Sequence, residues 1–210
     1  MAQVLKDEIR DNIINSAREE FLEYGYEDSS MRRIAIHSRM TVGNLYRYFK
    51  NKEELNKVIV SGTYDEINEL LGTISGDVIT MGRDVENVHI GYDELKTMMN
   101  QLVDGLMDIY QNHKVELNIL MMESRLNKEI TEWFTLLLCR LIADNYAVEE
   151  NSASIEPLAR AYAIAIFHGL KTLFKETDTD TETLRNMVTI YLNSYVGILK
   201  QNINELEGLQ

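Results

Sequence analysis

Residues 30–52 of this chain read SMRRIAIHSRMTVGNLYRYFKNK. The stretch predicts two short helices, Met31 to Ser38 and Val42 to Phe49, each preceded by a residue type favoured at helix N-caps. One residue of the pair Ser29–Ser30 would cap the first helix, and Thr41 would cap the second. Two short helices separated by a few residues are what a helix-turn-helix requires, and this motif decides the fold of the amino-terminal region.

The two predicted helices each have an inner and an outer face. Helical spacing puts Ile34 and Ala35 of the first helix against Leu45 and Phe49 of the second, and the small Ala35 allows a close approach. The other positions of the second helix face outward: Val42, Gly43, Asn44, Tyr46, Arg47 and Tyr48. The outer face of the second helix is therefore the candidate binding surface.

The residues of this outer face suit double-stranded DNA. Asn44 and Arg47 can read base edges, asparagine at adenine and arginine at guanine, and Val42 can contact a thymine methyl group. Gly43 has no side chain, so the backbone can approach the major groove closely. Hydroxyl and ammonium groups in the same region can bind phosphate oxygens without reading sequence: Thr41, Tyr46, Tyr48 and Lys52.

The distribution of charge favours the same surface. The formal net charge of −13 is unexpected for a DNA-binding protein. However, residues 1–60 contain ten basic and ten acidic side chains, so all of the net negative charge lies in residues 61–210. Ser29 to Lys52 holds six basic residues and no acidic one. A solvated run of charge is the alternative, and the glycine and tyrosine pattern within the run favours DNA.

The flanking sequence supplies further helices. Apolar residues at helical spacing predict a first helix from Asp7 to Tyr24, and Gly25 is suited to end it. Asn51 is the expected N-cap of a fourth helix that runs to about Leu71. The glycine-containing residues 72–92 have weak periodicity and are interpreted as a linker or irregular connection, with room for a short helix.

From Asp93 onward the sequence has four long amphipathic segments and no useful run of β-alternation. They cover Asp93–Asn112, Lys114–Arg125 with a continuation over Asn127–Tyr146, Ile155–Glu176 and Thr181–Ile203. We therefore predict an all-α fold, with a three-helix head in residues 1–55 and a larger helical body for ligand binding and dimerisation in residues 56–210.

The order and spacing of residues 9–58 resemble those of the TetR family of repressors. The resemblance rests on Ile13-Ile14, Ala17, Phe21, Gly25, Ile34-Ala35, Thr41-Val-Gly43-Asn-Leu45-Tyr46-Arg-Tyr48-Phe49 and Lys52-Glu53-x-Leu55. It implies a homodimer with one head per subunit, a palindromic DNA operator and a divergent body that holds a pocket for a small apolar or amphipathic inducer. It also assigns the phosphate contacts to Thr41, Tyr46, Tyr48 and Lys52.

One departure from the family pattern lies in the turn of the motif. The family usually has a small residue, a glycine and an aliphatic residue there, whereas this chain has Ser38-Arg39-Met40. If Arg39 adopts a positive φ, we expect a strain of roughly a kcal/mol. The alternative is a rearranged turn, which would change the direction of the second helix.

The last two helices are the expected dimer interface, over residues 155–176 and 181–203. Ala159, Ala161, Ala163, Ala165 and Gly169 permit close helix contact, and Leu184, Val188, Tyr191, Tyr195 and Ile198 follow a spacing of four and three. The alternative is that these faces close the core of one subunit.

The candidate ligand-binding residues are methionine, aromatic and aliphatic side chains and one histidine of the body, although a stripe of such residues more often belongs to the hydrophobic core: Met98, Leu102, Met121, Trp133, Leu137, Phe167 and His168.

Other functional classes have little support in the sequence. His113 and Glu116 have helical metal-ligand spacing, but no third ligand accompanies them. Cys139 is surrounded by leucines, as a buried thiol would be. No metal or cofactor is therefore expected. We expect a cytoplasmic protein without a membrane span and without enzymatic activity. The alternative function is a helical scaffold or partner-binding protein that does not bind DNA.

The carboxylates of Glu116 and Glu123 could neutralise a cationic ligand, but a solvated position of both side chains is favoured.

Overall fold

The computed structural model describes residues 2–83, 92–146, 155–175 and 179–207. These ranges contain eight helices and no strand, which confirms the predicted all-α fold. In chain order they are α1 (Ala2–Asp28), α2 (Met31–His37), α3 (Val42–Leu45), α4 (Lys52–Arg83), α5 (Tyr92–Met122), α6 (Ser124–Tyr146), α7 (Ile155–Lys175) and α8 (Thr181–Glu207).

Helices α2, α3 and α4 begin at the residues that their capping chemistry predicts, whereas α1 begins at Ala2, earlier than the predicted Asp7. Ser30 Oγ accepts a hydrogen bond from the Arg33 N–H at 3.2 Å, and Thr41 Oγ1 accepts one from the Asn44 N–H at 3.2 Å. At the start of α4, Asn51 Oδ1 accepts the Glu54 N–H at 2.7 Å. These bonds satisfy amides that have no partner within their own helices.

Gly25 interrupts α1 as predicted, with φ 75° and ψ 166°, and one further helical turn continues to Asp28. The left-handed φ favours glycine, and a Cβ atom at this position would also lie 3.4 Å from Met122 Cε. The break redirects the chain toward Ser30, the N-cap of α2.

The interpretation of residues 72–92 as a linker is wrong over its first half, because α4 continues through Gly72 and Gly76 to Arg83. Residues 84–91 lie outside the described part of the chain. Each glycine costs a helix roughly 0.5–1 kcal/mol relative to alanine. Burial of Ile67 and Ile74, seven residues apart on one face, outweighs this local cost.

A break in α5 separates two halves with different surroundings. His113 has φ −138° and ψ 42°, at the point where the sequence predicts an interruption between Asn112 and Lys114. The chain forms two compact units, an amino-terminal unit of Met1–Glu66 with Asn112–Ser124 and a carboxyl-terminal unit of Ile67–Gln111 with Arg125–Gln210. The second half of α5 therefore belongs to the amino-terminal unit.

Each unit has its own apolar core. In the amino-terminal unit, α1, α2 and α3 meet through fully or almost fully buried side chains: Ile13, Ala17, Phe21, Ile34, Ala35, Leu45 and Phe49. The core of the carboxyl-terminal unit includes Leu102, Met107, Phe167, Phe174, Leu184 and Val188. Cys139 is buried, as predicted. None of the described helices is both long and apolar enough to cross a membrane.

Candidate nucleic-acid interface

Of the two alternatives for the turn of the helix-turn-helix, the structure shows the one in which Arg39 has a positive φ. Arg39 has φ 57°, and among the described residues it is the one non-glycine residue with a positive φ. The Arg39 N–H donates to the Ile36 carbonyl at 3.0 Å, and the Met40 N–H donates to the Ala35 carbonyl at 2.9 Å. Asn12 Nδ2 also donates to the Ser38 carbonyl at 3.0 Å. These bonds offset the strain and fix the direction in which α3 leaves the turn.

The outer face of α3 is exposed in the way the sequence predicts. Leu45 and Phe49 are buried against α1 and α2, and α3 itself ends at Leu45, earlier than predicted. Hydrogen bonds from the Tyr46, Arg47 and Tyr48 N–H groups continue the helical path as a turn. The candidate DNA-contacting residues are exposed or partly exposed on this surface: Thr41, Val42, Gly43, Asn44, Tyr46, Arg47 and Tyr48.

Gly43 is not required by the packing of the fold. A Cβ atom at this position would have no neighbouring heavy atom within 4 Å. Glycine in a helix costs stability, and no contact within the described residues explains why it is here. The missing side chain leaves the backbone of α3 open to an outside ligand.

Lys52 occupies a different environment from the other candidates. Its ammonium group donates to the carbonyl oxygens of Tyr26, Glu27 and Ser29, the last two at 3.0 and 2.9 Å. It also lies 4.6 Å from the ring centroid of Tyr26, whose pKa is raised, mainly by burial. An ammonium group has three N–H donors, so a phosphate would have to displace one of these carbonyls. Lys52 holds the end of α1 against the start of α4.

Glu20 is a structural element of the motif that sequence reasoning missed. Its carboxylate is fully buried, and Oε1 accepts the Ser30 N–H at 2.9 Å and Arg33 Nε at 2.6 Å. Arg33 also donates from Nη2 to the Asp28 carbonyl at 2.6 Å. The sequence feature that could have revealed the burial of Glu20 is its position three residues after Ala17, on the buried face of α1. The ion pair joins α1 to the first turn of α2.

A groove lies between the start of α1 and the outer face of α3. It has a volume of about 420 Å³ and is lined by Leu5, Lys6 and Ile9 from α1 and by Asn44, Arg47 and Tyr48 from α3 and its following turn. We call it the α1–α3 groove. Arg10, one turn after Lys6, places its guanidinium 5.3 Å from the ring centroid of Phe49. Sequence reasoning did not predict that the start of α1 adjoins the candidate DNA surface.

The second half of α5 is bound to α1 and α4 by polar contacts. Glu116 Oε1 lies 2.6 Å from Arg18 Nη2, and Asn56 Nδ2 donates to Glu123 Oε1 at 2.7 Å. Next to the break in α5, His113 Nε2 lies 3.0 Å from Glu66 Oε1. The expectation that Glu116 and Glu123 are solvated is therefore wrong, because both contact partners in the amino-terminal unit.

The structure places the predicted ligand-binding residues in different surroundings. Met98, Leu102 and Phe167 are buried in the carboxyl-terminal unit, His168 is exposed, and Met121 lies in the other unit. The Trp133 indole donates from Nε1 to Ser75 Oγ at 2.6 Å. Leu137 does line an apolar cavity of about 20 Å³, together with Leu95, Met99, Phe134, Leu138, Leu141, Ile166, Leu192, Tyr195 and Val196.

The tyrosine pair at this cavity is held by hydrogen bonds. Tyr191 Oη donates to the Ala165 carbonyl at 2.6 Å and lies 3.0 Å from Tyr195 Oη. Burial and the Tyr195 hydroxyl raise the pKa of Tyr191. A Cβ atom at Gly169 would lie 2.0 Å from Tyr191 Oη, so a larger residue at this position would displace the Tyr191 ring.

Small and apolar residues recur on the exposed sides of α7 and α8, beside charged residues such as Glu156 and Arg160. Exposed residues recur at intervals of three and four on each helix: Leu158, Ala161, Ala165 and His168 on α7, and Met187, Ile190, Ser194 and Gly197 on α8. We call this set the outer α7–α8 face. Four residues that the sequence assigned to an interface are instead buried inside the carboxyl-terminal unit: Ala159, Ala163, Leu184 and Val188.

In the part of the chain that the structure describes, no cluster of three or more histidine, cysteine or acidic side chains could hold a metal ion.

Comparison with known proteins agrees with the geometry of this region. Residues 13–58 match the family model of bacterial regulatory proteins, tetR family. The chain is 28% identical over 96 residues to the "Probable HTH-type transcriptional regulator YttP" of Bacillus subtilis (strain 168), and the alignment covers 46% of this chain and 46% of that relative. This chain therefore matches about half the length of that relative.

Two solved structures resemble most of the chain at low sequence identity. NalD, the secondary repressor of the MexAB-OprM multidrug efflux pump in Pseudomonas aeruginosa, has 18% identity, a TM-score of 0.46 and coverage of 90% of this chain and 96% of its own. FadR from Bacillus subtilis in complex with stearoyl-CoA has 20% identity, a TM-score of 0.43 and coverage of 86% and 96%. Over residues 13–58, which include the helix-turn-helix, this chain is similar to the tetR family of bacterial regulatory proteins.

Proposed function

We propose that this chain represses transcription by binding a palindromic DNA operator as a homodimer, and that a small apolar or amphipathic inducer releases it. The observation that carries the proposal is the outer face of α3, where polar side chains are exposed around a glycine that the fold does not require. A helix with such a face fits the major groove of DNA.

The individual contacts follow from the chemistry of each side chain. Asn44 and Arg47 would read base edges, and Val42 would contact a thymine methyl group. Thr41 Oγ1 already accepts the Asn44 N–H, which leaves its hydroxyl proton available for a phosphate oxygen. Tyr46 and Tyr48 would donate to further phosphates and so fix the position of α3 along the duplex.

The outer α7–α8 face supports a dimer of two identical chains. Its residues include no lysine, arginine or carboxylate, and Ile190 is 71% exposed. Two-fold symmetry would bring the same face of each subunit together and bury these side chains. A dimer would also explain a palindromic operator, because each subunit would bind one half-site.

The apolar cavity of the carboxyl-terminal unit supports an apolar ligand. Among the described residues no charged side chain lines it, and its lining surface is apolar. At about 20 Å³ it is far smaller than a typical ligand pocket of roughly 300–1,000 Å³. The inducer would therefore bind a state in which the surrounding helices have separated, and release requires that this state does not bind DNA.

Two stretches of chain connect the ligand-binding helices to the DNA-binding head. One is α4, which crosses between the units at Glu66 and Ile67, and the other is the α5 segment Asn112–Ser124, which belongs to the amino-terminal unit. Half-sites on DNA lie about 34–36 Å apart, so a shift of a few Å between the two recognition helices would prevent simultaneous binding. We propose that both stretches transmit this shift.

The experiment that tests the proposed function is selection of bound sequences from a random duplex DNA pool at near-physiological salt. The proposal predicts enrichment of a palindrome whose half-sites are about one helical turn apart. A folded dimer that enriches no sequence would contradict it and would favour the alternative of a helical protein that binds another partner.

A further inference from the structure

We propose that the α1–α3 groove receives a phosphodiester strand of the operator, so that Lys6 is a DNA contact outside the helix-turn-helix motif. The inference rests on the proposed function. It adds the first turns of α1 to the DNA-binding surface and assigns Lys6 a role that the family motif does not include.

The groove is lined on one side by residues of α1 and on the other by residues of α3 and its following turn. Asn44 and Arg47, which face the DNA in the proposed function, form one wall, and Lys6 and Ile9 form the other. Lys6 and Arg47 are both exposed. DNA that contacts Arg47 therefore lies at the mouth of the groove, with Lys6 on its far wall.

The second observation is the chemistry of the lining. Two cations, an amide and a phenol hydroxyl surround the groove, from Lys6, Arg47, Asn44 and Tyr48. These groups can all donate hydrogen bonds to phosphate oxygens. None of the lining residues is acidic, so the groove favours a polyanion.

The third observation is the direction of this face of α1. Arg10 lies four residues after Lys6, on the same side of the helix, and its guanidinium is above the ring of Phe49. The acidic residues of these turns, Asp7, Glu8 and Asp11, do not line the groove. The basic side of α1 is therefore the side that adjoins α3.

The test compares the salt dependence of operator binding for the wild-type chain, Lys6→Gln and Lys96→Gln. Lys96→Gln is the matched control, because it makes the same charge change at an exposed lysine of the carboxyl-terminal unit. The slope of log K against log salt should fall in magnitude by about 1 per subunit for Lys6→Gln, and should not change for the control. Lys6→Arg should retain the wild-type slope, since it retains the charge.

Phosphate ethylation interference on the same operator locates the contact. In the wild type, ethylation of a phosphate at the edge of each half-site should block binding, and Lys6→Gln should remove this interference. A wild-type chain that binds its operator while Lys6→Gln leaves slope and interference pattern unchanged would overturn the inference alone. A wild-type chain that binds no DNA would overturn both the inference and the proposed function.

Discussion

The buried carboxylate of Glu20 binds the side chain of Arg33, with 2.6 Å between Oε1 and Nε. The same oxygen accepts the backbone N–H of Ser30, the N-cap of α2. One oxygen atom thus fixes the start of α2 relative to α1, and the position of α3 follows through the turn at Arg39. The proposed DNA-binding surface therefore depends on a fully buried residue, Glu20.

Replacing Glu20 with glutamine should lower the free energy of unfolding by about 1–3 kcal/mol, because the hydrogen bonds to a charged oxygen are weakened. Urea denaturation measures the change. Glu19→Gln is the control, since Glu19 is exposed and adjacent in sequence. Equal stability of the two variants would show that the buried pair does not hold the motif.

Lys52→Met should lower the free energy of unfolding by about 1–2 kcal/mol and leave the salt dependence of DNA binding unchanged. The reason is that its ammonium is bound to three carbonyls near the end of α1. Operator binding across a salt series provides the decisive measurement. A slope reduced in magnitude by about 1 per subunit would instead establish the phosphate contact predicted from the sequence.

Arg47→Ala and Asn44→Ala should relax base preference at particular positions of each half-site, by roughly 1–3 kcal/mol each. Tyr46→Phe should instead weaken binding about equally on all sequences, because it removes a donor to phosphate. Affinities for single-base variants of the selected operator distinguish the two patterns. Unaltered base preference in Arg47→Ala would remove Arg47 from the set of base-reading residues.

Ile190→Asp should convert the dimer to a monomer and abolish tight binding to the palindrome. A carboxylate in an apolar interface is strongly unfavourable when it has no partner. Leu136→Asp is a matched control, since Leu136 is 72% exposed and Ile190 is 71% exposed, but Leu136 is on α6. Sedimentation velocity measures the mass of both variants, and a dimeric Ile190→Asp would contradict the assignment of the outer α7–α8 face.

Much of the amino-terminal unit can be predicted from sequence because its signals are local. Ser30, Thr41 and Asn51 cap the helices that they precede, and Gly25 and Arg39 have the positive φ values that their positions predict. Apolar residues at helical spacing also identify the core around Phe21. Each of these features depends on residues within one or two turns of one another.

The remaining features depend on contacts between residues far apart in sequence. The glycines at 72 and 76 suggested a linker, but burial of Ile67 and Ile74 keeps α4 helical. Nothing local to Glu116 indicates that it would pair with Arg18. Met98 and Met121 are buried, but the sequence could not show which buried residues line a cavity, because that depends on how several helices pack.

The central claim is that the outer face of α3 binds DNA at close range, and Gly43→Ala tests it most directly. A Cβ atom at Gly43 meets no heavy atom within 4 Å, and the same holds for Gly62 in α4, which serves as the matched control. Both alanine variants should be about 0.5–1 kcal/mol more stable than the wild type. Gly43→Ala alone should lose about tenfold or more in operator affinity, because its methyl group would occupy space needed by the DNA. An unchanged affinity in a stable Gly43→Ala variant would contradict the account.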